Sequence, residues 1–153
     1  MPLTVPDRVP CPYCENLAGR HPWHGSPAVV FEDEELYVFL APAPLGGMPG
    51  HTLVCPKRHV ETIFDLTDAE AALLGAAVAR AARMVRNALA PAGVLVQQHN
   101  GVAAFQTVPH LHFHVIPKVE DSPFPPTEWQ DVMPAEERAE LAAALSSHWN
   151  ADP

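Results

Sequence analysis

The chain has 153 residues, a length that suits one domain built around one hydrophobic core. Its nine Lys and Arg are outnumbered by eighteen Asp and Glu, and the formal net charge of −9 argues against a nucleic-acid-binding protein, which usually has a basic face. Because the N-terminus lacks the basic start and apolar stretch of a signal peptide, and no segment is apolar enough to span a membrane, we expect a cytoplasmic protein with no membrane partner.

The N-terminal segment, residues 1–27, is predicted to be irregular and to be held by whatever binds its Cys-Pro-Tyr-Cys sequence, which contains Cys11 and Cys14. In a reducing compartment, two cysteines at this spacing favour a metal site over a disulfide. The remaining cysteine, Cys55, lies in an apolar stretch and is predicted to be a small core residue.

Three strands are predicted next. Two apolar runs, residues 28–31 and 36–40, are separated by four acidic residues and predict a hairpin-like pair. A loop at residues 41–50 is rich enough in Gly and Pro to wrap a ligand. It leads into a third strand at residues 51–55, which Pro56 ends.

A long amphipathic helix follows these strands. Thr67 and Glu70 have the spacing of a capping box, which marks the start of a helix. Apolar residues then recur at helical intervals over residues 74–89, until Pro91 and Gly93 stop the helix.

The remaining chain is predicted to contain two strands, at residues 93–98 and 110–117, and a last helix at about residues 135–145. The order of elements predicts an α+β fold, an antiparallel meander with one long helix inserted and one helix near the C-terminus. We expect a single domain over residues 1–153, in which residues 119–153 form a C-terminal extension.

Three histidines, His110, His112 and His114, alternate with apolar residues in the last predicted strand. Side chains two apart on a strand share one face, roughly 6.6 Å apart, so we expect the three imidazoles to line one surface. Imidazole is the side chain whose unperturbed pKa, about 6.5, leaves both protonation states populated near neutral pH. The central His112 is therefore the candidate nucleophile, and the alternative is a metal-binding surface without catalysis.

Further segments accompany these histidines. They are Gly-His-Thr-Leu-Val at residues 50–54, Pro-Lys-Arg-His at residues 56–59, and an Asn-Gly plus Gln-Thr-Val loop within residues 100–108. Together with the alternating motif of residues 110–116, they resemble the histidine triad (HIT) superfamily of nucleotide hydrolases and transferases. The resemblance covers about residues 11–118 and implies a HIT-like two-layer α+β fold, usually a homodimer, that acts at the α-phosphate of a small-molecule nucleotide.

The resemblance also implies a role for each matching residue. His112 would attack phosphorus and form a nucleotidyl-histidine intermediate, His114 would contact phosphate oxygens and assist the leaving group, and His51 would lie beside the active site. The loop that would hold the phosphate is matched by Asn100, Gln106 and Thr107. The implied activity is that of a nucleotide hydrolase, either a Hint-like phosphoramidase or a Fhit-like dinucleoside polyphosphate hydrolase. A nucleotide-binding adaptor protein with weak or no catalysis is the alternative.

Zinc is implied by the same comparison. Some family members hold a structural zinc ion with the set matched here by Cys11, Cys14, His59 and His110. Two thiolates and two imidazoles suit a closed tetrahedral zinc site, which would fasten the N-terminal segment to the histidine strand. The spacing of the sequence leaves a second hypothesis open, a local zinc knuckle of Cys11, Cys14, His21 and His24. The two remaining histidines, His99 and His148, are interpreted as ordinary surface or loop residues.

The sequence departs from the family pattern near the expected nucleoside site. Ala41 stands where much of the family has an aspartate that binds ribose hydroxyls, and alanine cannot form those hydrogen bonds. Either the ribose is held differently, or the substrate is not an ordinary adenosine nucleotide. Phe105 also replaces a glycine that is common in the phosphate loop.

Overall fold

The computed structural model describes residues 10–20, 28–123 and 130–150. The strands are β1 (Val29–Glu32), β2 (Leu36–Leu40), β3 (Thr52–Pro56), β4 (Gly93–Gln98) and β5 (Phe113–Lys118). The α-helices are α1 (Pro12–Leu17), α2 (Asp68–Leu89) and α3 (Ala135–Ser146). One five-stranded antiparallel sheet with helices against it confirms the predicted α+β fold. Among the described helices, none has the length and hydropathy of a bilayer span.

The strand order is β1-β2-β3-β5-β4, so the prediction of a simple meander is wrong at its end. After β3 the chain passes through α2 and forms β4 at the edge of the sheet, one strand position away from β3. Strand β5 then lies between β3 and β4. His114 on β5 is consequently opposite Leu53 of β3 on one side and Gln97 of β4 on the other. The strand that carries the histidine motif is therefore an interior strand.

The long helix α2 begins and ends where its sequence predicts. The backbone N–H of Glu70 donates to Thr67 Oγ1 at 3.2 Å, and the backbone N–H of Thr67 donates to Glu70 Oε2 at 2.8 Å, which completes the capping box. The chain leaves the helix at Ala90, which has a left-handed backbone conformation (φ 45°) just before Pro91. The buried face of α2 consists of Leu74, Ala77, Ala81, Met84 and Val85.

Alternation along the central strands gives the sheet two apolar faces. The face covered by α2 and α3 includes Val38, Val54 and Val115. The opposite face includes Tyr37, Phe39, Leu53 and Cys55, and Tyr13 of α1 packs on it. Because both faces are covered, every residue of β2 and β3 is buried. The prediction that Cys55 is a core residue is confirmed, and its Sγ donates to the Tyr37 carbonyl at 3.2 Å.

Strands β1 and β3 each begin and end one residue later than predicted, and two other predictions differ more from the structure. The N-terminal segment contains the short helix α1, where an irregular chain was predicted, and Pro12 takes a first-turn position that needs no backbone N–H. Strand β5 begins at Phe113, three residues after the predicted start. The preceding residues leave the ladder because Leu111 N–H donates instead to the Val60 carbonyl at 2.6 Å.

The Gly/Pro-rich loop at residues 41–50 packs tightly on the end of β5. A Cβ at Gly46, whose φ is +97°, would lie 2.6 Å from Ile116 Cγ2 and 2.7 Å from the Pro117 carbonyl oxygen. Only glycine combines this conformation with this close approach. The loop is therefore fitted to β5, and it places His51 at the start of β3.

Candidate zinc centre and active site

Four side chains converge between α1, the end of β3 and the histidine segment. The ligand atoms of Cys11, Cys14, His59 and His110 all lie within 4.8 Å of one another. Cys14 Sγ is 3.3 Å from His59 Nδ1 and 3.6 Å from His110 Nδ1, and Cys11 Sγ is also 3.6 Å from His110 Nδ1. Ligands on a tetrahedral zinc ion are separated by roughly 3.5 Å, given Zn–S and Zn–N bonds of about 2.3 and 2.0 Å. The four residues fit a structural zinc ion.

Hydrogen bonding prepares His110 for this role. Its Nε2 lies 2.8 Å from the Pro56 carbonyl, which can only accept, so Nε2 carries the proton and Nδ1 presents its lone pair to the two thiols. Burial raises the pKa of the Cys14 thiol to about 11, and Cys11 adds to the shift, so metal binding must displace the proton of this thiol. When bound, zinc supplies a cross-link between α1 and the histidine segment.

The alternative metal sites predicted from the sequence have different outcomes. His21 and His24 of the local knuckle lie outside the described residues. Within the described ranges, the set of Cys11, Cys14, His59 and His110 is the one group that could hold a metal ion. His112 and His114 do not belong to it, so the described residues provide no metal-binding surface along the rest of the histidine row.

His112 lies at the centre of the site. Its Nδ1 is 2.7 Å from the His110 carbonyl and must donate to it, which leaves the lone pair of the neutral ring on Nε2. Among the described residues, the bond from Nδ1 is the one hydrogen bond that this imidazole forms. The Tyr13 ring contacts the imidazole edge to face at 5.2 Å. Burial lowers the pKa of His112 to about 4, and the ring is therefore neutral at pH 7.

His114 and His51 form a buried hydrogen-bonded pair beside His112. His51 Nε2 and His114 Nδ1 are 2.9 Å apart, and the His112 and His114 rings are 4.7 Å apart. Burial is the main cause that lowers the pKa of His51 to about 3 and that of His114 to about 2. The backbone of Ala43 forms a hydrogen bond with His51 that acts in the opposite direction. Both imidazoles are neutral at pH 7 and share one proton between the facing nitrogens.

The three motif histidines are more deeply buried than the sequence suggests. His110, His112 and His114 are 0%, 4% and 8% exposed. The alternating pattern predicts one apolar face and one accessible face, but α1 and the apolar cluster around Phe39 cover the second face as well. Ala41 is also buried in that cluster, where it offers a methyl group and no hydrogen bond.

His99 lies closer to the site than the sequence analysis expects. Its ring centroid is 5.2 Å from that of His114, and its Nδ1 donates to the Phe105 carbonyl at 3.3 Å. The signal that could have found it is the strand pairing: Gln98, the last residue of β4, is opposite Phe113 of β5, so the next residue must lie near the histidine row. His148, by contrast, is half-buried just beyond α3.

Asn100 anchors the candidate phosphate loop to the rest of the protein. Its Oδ1 accepts from Ile63 N–H at 2.8 Å and from Gln98 Nε2 at 3.1 Å, and its Nδ2 donates to Gln98 Oε1. Its amide group is thus engaged by protein partners, which fixes the loop beside the short 3₁₀ helix Ile63–Asp65.

Gln106 closes the same loop from inside. Its Oε1 accepts from Gly101 N–H at 2.7 Å, and its Nε2 donates to the carbonyls of Glu61 and Val108 at 2.7 and 3.0 Å. Thr107 is exposed, and neither its backbone N–H nor that of Val108 has an acceptor among the described residues. Backbone N–H groups and a hydroxyl in this arrangement are the kind of donors with which loops bind anions.

Acid is expected to destabilise the fold through His51 and His114. Their pKa values are lower in the folded chain than the ordinary 6.5, so the stability they contribute is full above pH 6.5 and is lost as the pH falls towards the folded values. When the pH falls from 7.5 to 5.5, both histidines take up protons in the unfolded chain but not in the folded chain. This difference lowers the free energy of unfolding by about 2 to 3 kcal/mol.

Urea unfolding at the two pH values, with saturating zinc throughout, measures this effect. The His51→Gln variant should show a shallower dependence on pH. Equal unfolding free energies at both pH values for the unmodified chain would contradict the expectation.

Comparison with known proteins agrees with this geometry. The family model described as the HIT domain matches residues 26–121. Protein hit of Bacillus subtilis is 38% identical over 108 residues, covering 71% of this chain and 70% of that protein. The crystal structure of a zinc-bound histidine triad family protein from Mycobacterium smegmatis superimposes with a TM-score of 0.74 at 30% identity, covering 92% of this chain and 94% of that one.

A shorter match links the chain to an enzyme. A bis(5'-adenosyl)-triphosphatase of Dictyostelium discoideum is 39% identical over 71 residues, which is 46% of this chain and 48% of that protein. The aligned domain, the five-stranded sheet and the buried row of histidines lead to the same assignment. The chain belongs to the HIT family.

Proposed function

We propose that this chain is a nucleotide hydrolase or phosphoramidase that forms a covalent nucleotidyl intermediate on His112. The observation that carries the proposal is the 2.7 Å hydrogen bond from His112 Nδ1 to the His110 carbonyl, which fixes the tautomer with an unshared electron pair on Nε2. A neutral imidazole held in one tautomer and one orientation is a competent nucleophile towards phosphorus. The related triphosphatase from Dictyostelium discoideum supports a nucleotide as the substrate class.

The surrounding residues take supporting roles in this proposal. His114, whose ring is next to that of His112, contacts the phosphate and the leaving group, and His51 holds His114 in place through the 2.9 Å hydrogen bond. The hydroxyl and backbone N–H of Thr107 stabilise negative charge on the phosphate oxygens. Asn100 and Gln106 act on substrate binding by fixing the shape of the loop, since their amide groups are bonded within the protein.

Two displacements complete the reaction. In the first, the electron pair on His112 Nε2 forms a bond to phosphorus, the bond from phosphorus to the leaving nitrogen or oxygen breaks, and the leaving atom keeps that electron pair and takes up a proton from solvent. In the second, water oxygen bonds to phosphorus, the P–Nε2 pair returns to His112, and the proton of the attacking water passes back to solvent. One water is consumed for each nucleoside monophosphate released.

The second candidate is a nucleotide-binding adaptor with weak or no catalysis. The near-complete burial of His112, which is 4% exposed and borders Tyr13, favours this candidate because an incoming phosphate needs access to Nε2. Both candidates keep the expectation of a homodimeric protein that acts in the cytoplasm on a small nucleotide.

Mass spectrometry of the reacting protein separates the two candidates. The chain is incubated with diadenosine triphosphate or adenosine 5'-phosphoramidate and quenched in alkali, where phosphohistidine survives. The enzyme should release adenosine monophosphate and gain the mass of one adenylyl group on the peptide that contains His112. Nucleotide binding without either product would support the adaptor, and turnover with the adduct on another residue would overturn the role of His112.

A further inference from the structure

Phe105 is a residue whose presence the fold does not explain. Its backbone has φ 65° and ψ 22°, in the left-handed region that favours glycine. Its side chain is 79% exposed, so the ring gains little from burial. Phe105 directly follows the short 3₁₀ helix Val102–Ala104. Val102, at the start of this helix, is 52% exposed, and its carbonyl accepts the Phe105 N–H at 2.9 Å. An aromatic side chain thus occupies a strained position on an apolar, exposed turn.

This turn lies at the outer end of the histidine row. The Phe105 carbonyl accepts from His99, whose ring lies 5.2 Å from that of His114, which in turn lies 4.7 Å from the ring of His112. The His112 ring borders Tyr13, which belongs to the apolar cluster around Phe39. Exposure rises from His112 (4%) and His114 (8%) to the half-buried His99 and the exposed Phe105, so the row reaches the surface beside Phe105.

We propose that Phe105 is a specificity-determining residue that stacks against an aromatic leaving group of the substrate. The inference rests on the proposed function, in which His114 is the residue beside the leaving group. A leaving group attached to phosphorus near His114 extends past His99 and reaches the Phe105 ring, with Val102 adding apolar surface next to it. An exposed ring is a suitable platform for another aromatic group, since offset stacking adds binding energy beyond simple burial.

The test compares two adenosine 5'-phosphoramidates that differ only in the leaving amine, benzylamine or methylamine. Replacing Phe105 by glycine should lower kcat/KM for the benzylamine substrate about fivefold, the size of one aromatic contact, and leave the methylamine substrate within about twofold. Because the variant is compared with the unmodified chain on each substrate separately, the different intrinsic reactivities of the two substrates cancel. The variant should fold as well as the unmodified chain, because glycine suits the left-handed backbone, and its thermal midpoint checks this.

Phe64 provides the matched control. It is also a largely exposed phenylalanine, 70% exposed, on the other short 3₁₀ helix, so Phe64→Ala should alter neither substrate. If Phe105→Gly changes both substrates by one factor, or neither of them, the role of Phe105 is overturned while the proposed function stands. If the unmodified chain releases monophosphate from neither substrate, the proposed function falls and this inference falls with it.

Discussion

Replacing His112 by asparagine is expected to lower kcat/KM for nucleotide hydrolysis by on the order of 10⁴-fold or more. In the proposed mechanism Nε2 of the imidazole bonds to phosphorus, and an amide cannot form that bond. Binding should persist, because the substitution leaves the Thr107 loop and the His51–His114 pair in place. We expect the dissociation constant for nucleoside monophosphate, measured by calorimetry, to stay within about tenfold of that of the unmodified chain.

His148→Asn is the control for the same chemical change at a half-buried histidine beyond α3, and it should leave kcat/KM unchanged. A loss of less than tenfold in the His112 variant would show that phosphorus is attacked by another group, such as water. A loss of binding equal to the loss of rate would instead assign His112 to ground-state recognition.

Removal of zinc is expected to have the largest effect on stability. The ion joins α1 to the end of β3 and to the histidine segment, and structural zinc binding is worth on the order of 10 kcal/mol in small domains. This chain also has a hydrophobic core of its own, so we expect a chelator to lower the free energy of unfolding by several kcal/mol and the thermal midpoint by on the order of 10 °C. Calorimetry with and without chelator measures both.

Zinc stoichiometry tests the identity of the ligands. The unmodified chain should hold one zinc ion, and His59→Ala should hold none, because the substitution removes one of the four ligands. His59 is exposed, so its loss should not disturb the core. Cys55→Ala is the matched control among the cysteines and should keep its zinc. Retention of zinc by His59→Ala together with its loss in His24→Ala would favour the local knuckle. Two tightly held ions per chain would revive the metal-binding surface.

The sequence predicts the elements whose local signals agree with the final packing. The capping box of Thr67 and Glu70 starts α2 where the pattern places it, and the bounds of β4 match the predicted strand, residues 93–98. The hairpin of β1 and β2 forms at the acidic turn, in which Asp33 accepts from the backbone of Glu35 and Leu36. In each case side chains and backbone within a few residues determine the structure, so no distant contact has to be known.

Long-range contacts explain what the sequence does not predict. The six-residue helix α1 is too short to be stable by itself, and no periodic pattern marks it; it exists because Tyr13 packs on the sheet and the cysteines face His59 and His110. The alternation of histidines indicates that they share a face. The burial of that face depends on α1, and Cys11, which precedes α1, is 99 residues before His110 in the sequence.

The same limit applies to the loop beside the active site. The amide side chains of Asn100 and Gln106 could bond to a phosphate or to the backbone. Only the fold brings the Ile63 N–H within reach of the Asn100 oxygen and the Glu61 carbonyl within reach of the Gln106 nitrogen. His99 enters the neighbourhood of His114 for a similar reason, through the pairing of β4 with β5.

Tyr13 stands between the two thiols in the chain and against His112 in space. A metal ion bound by Cys11 and Cys14 would therefore hold in place the helix that presents this ring, and with it one neighbour of the His112 imidazole.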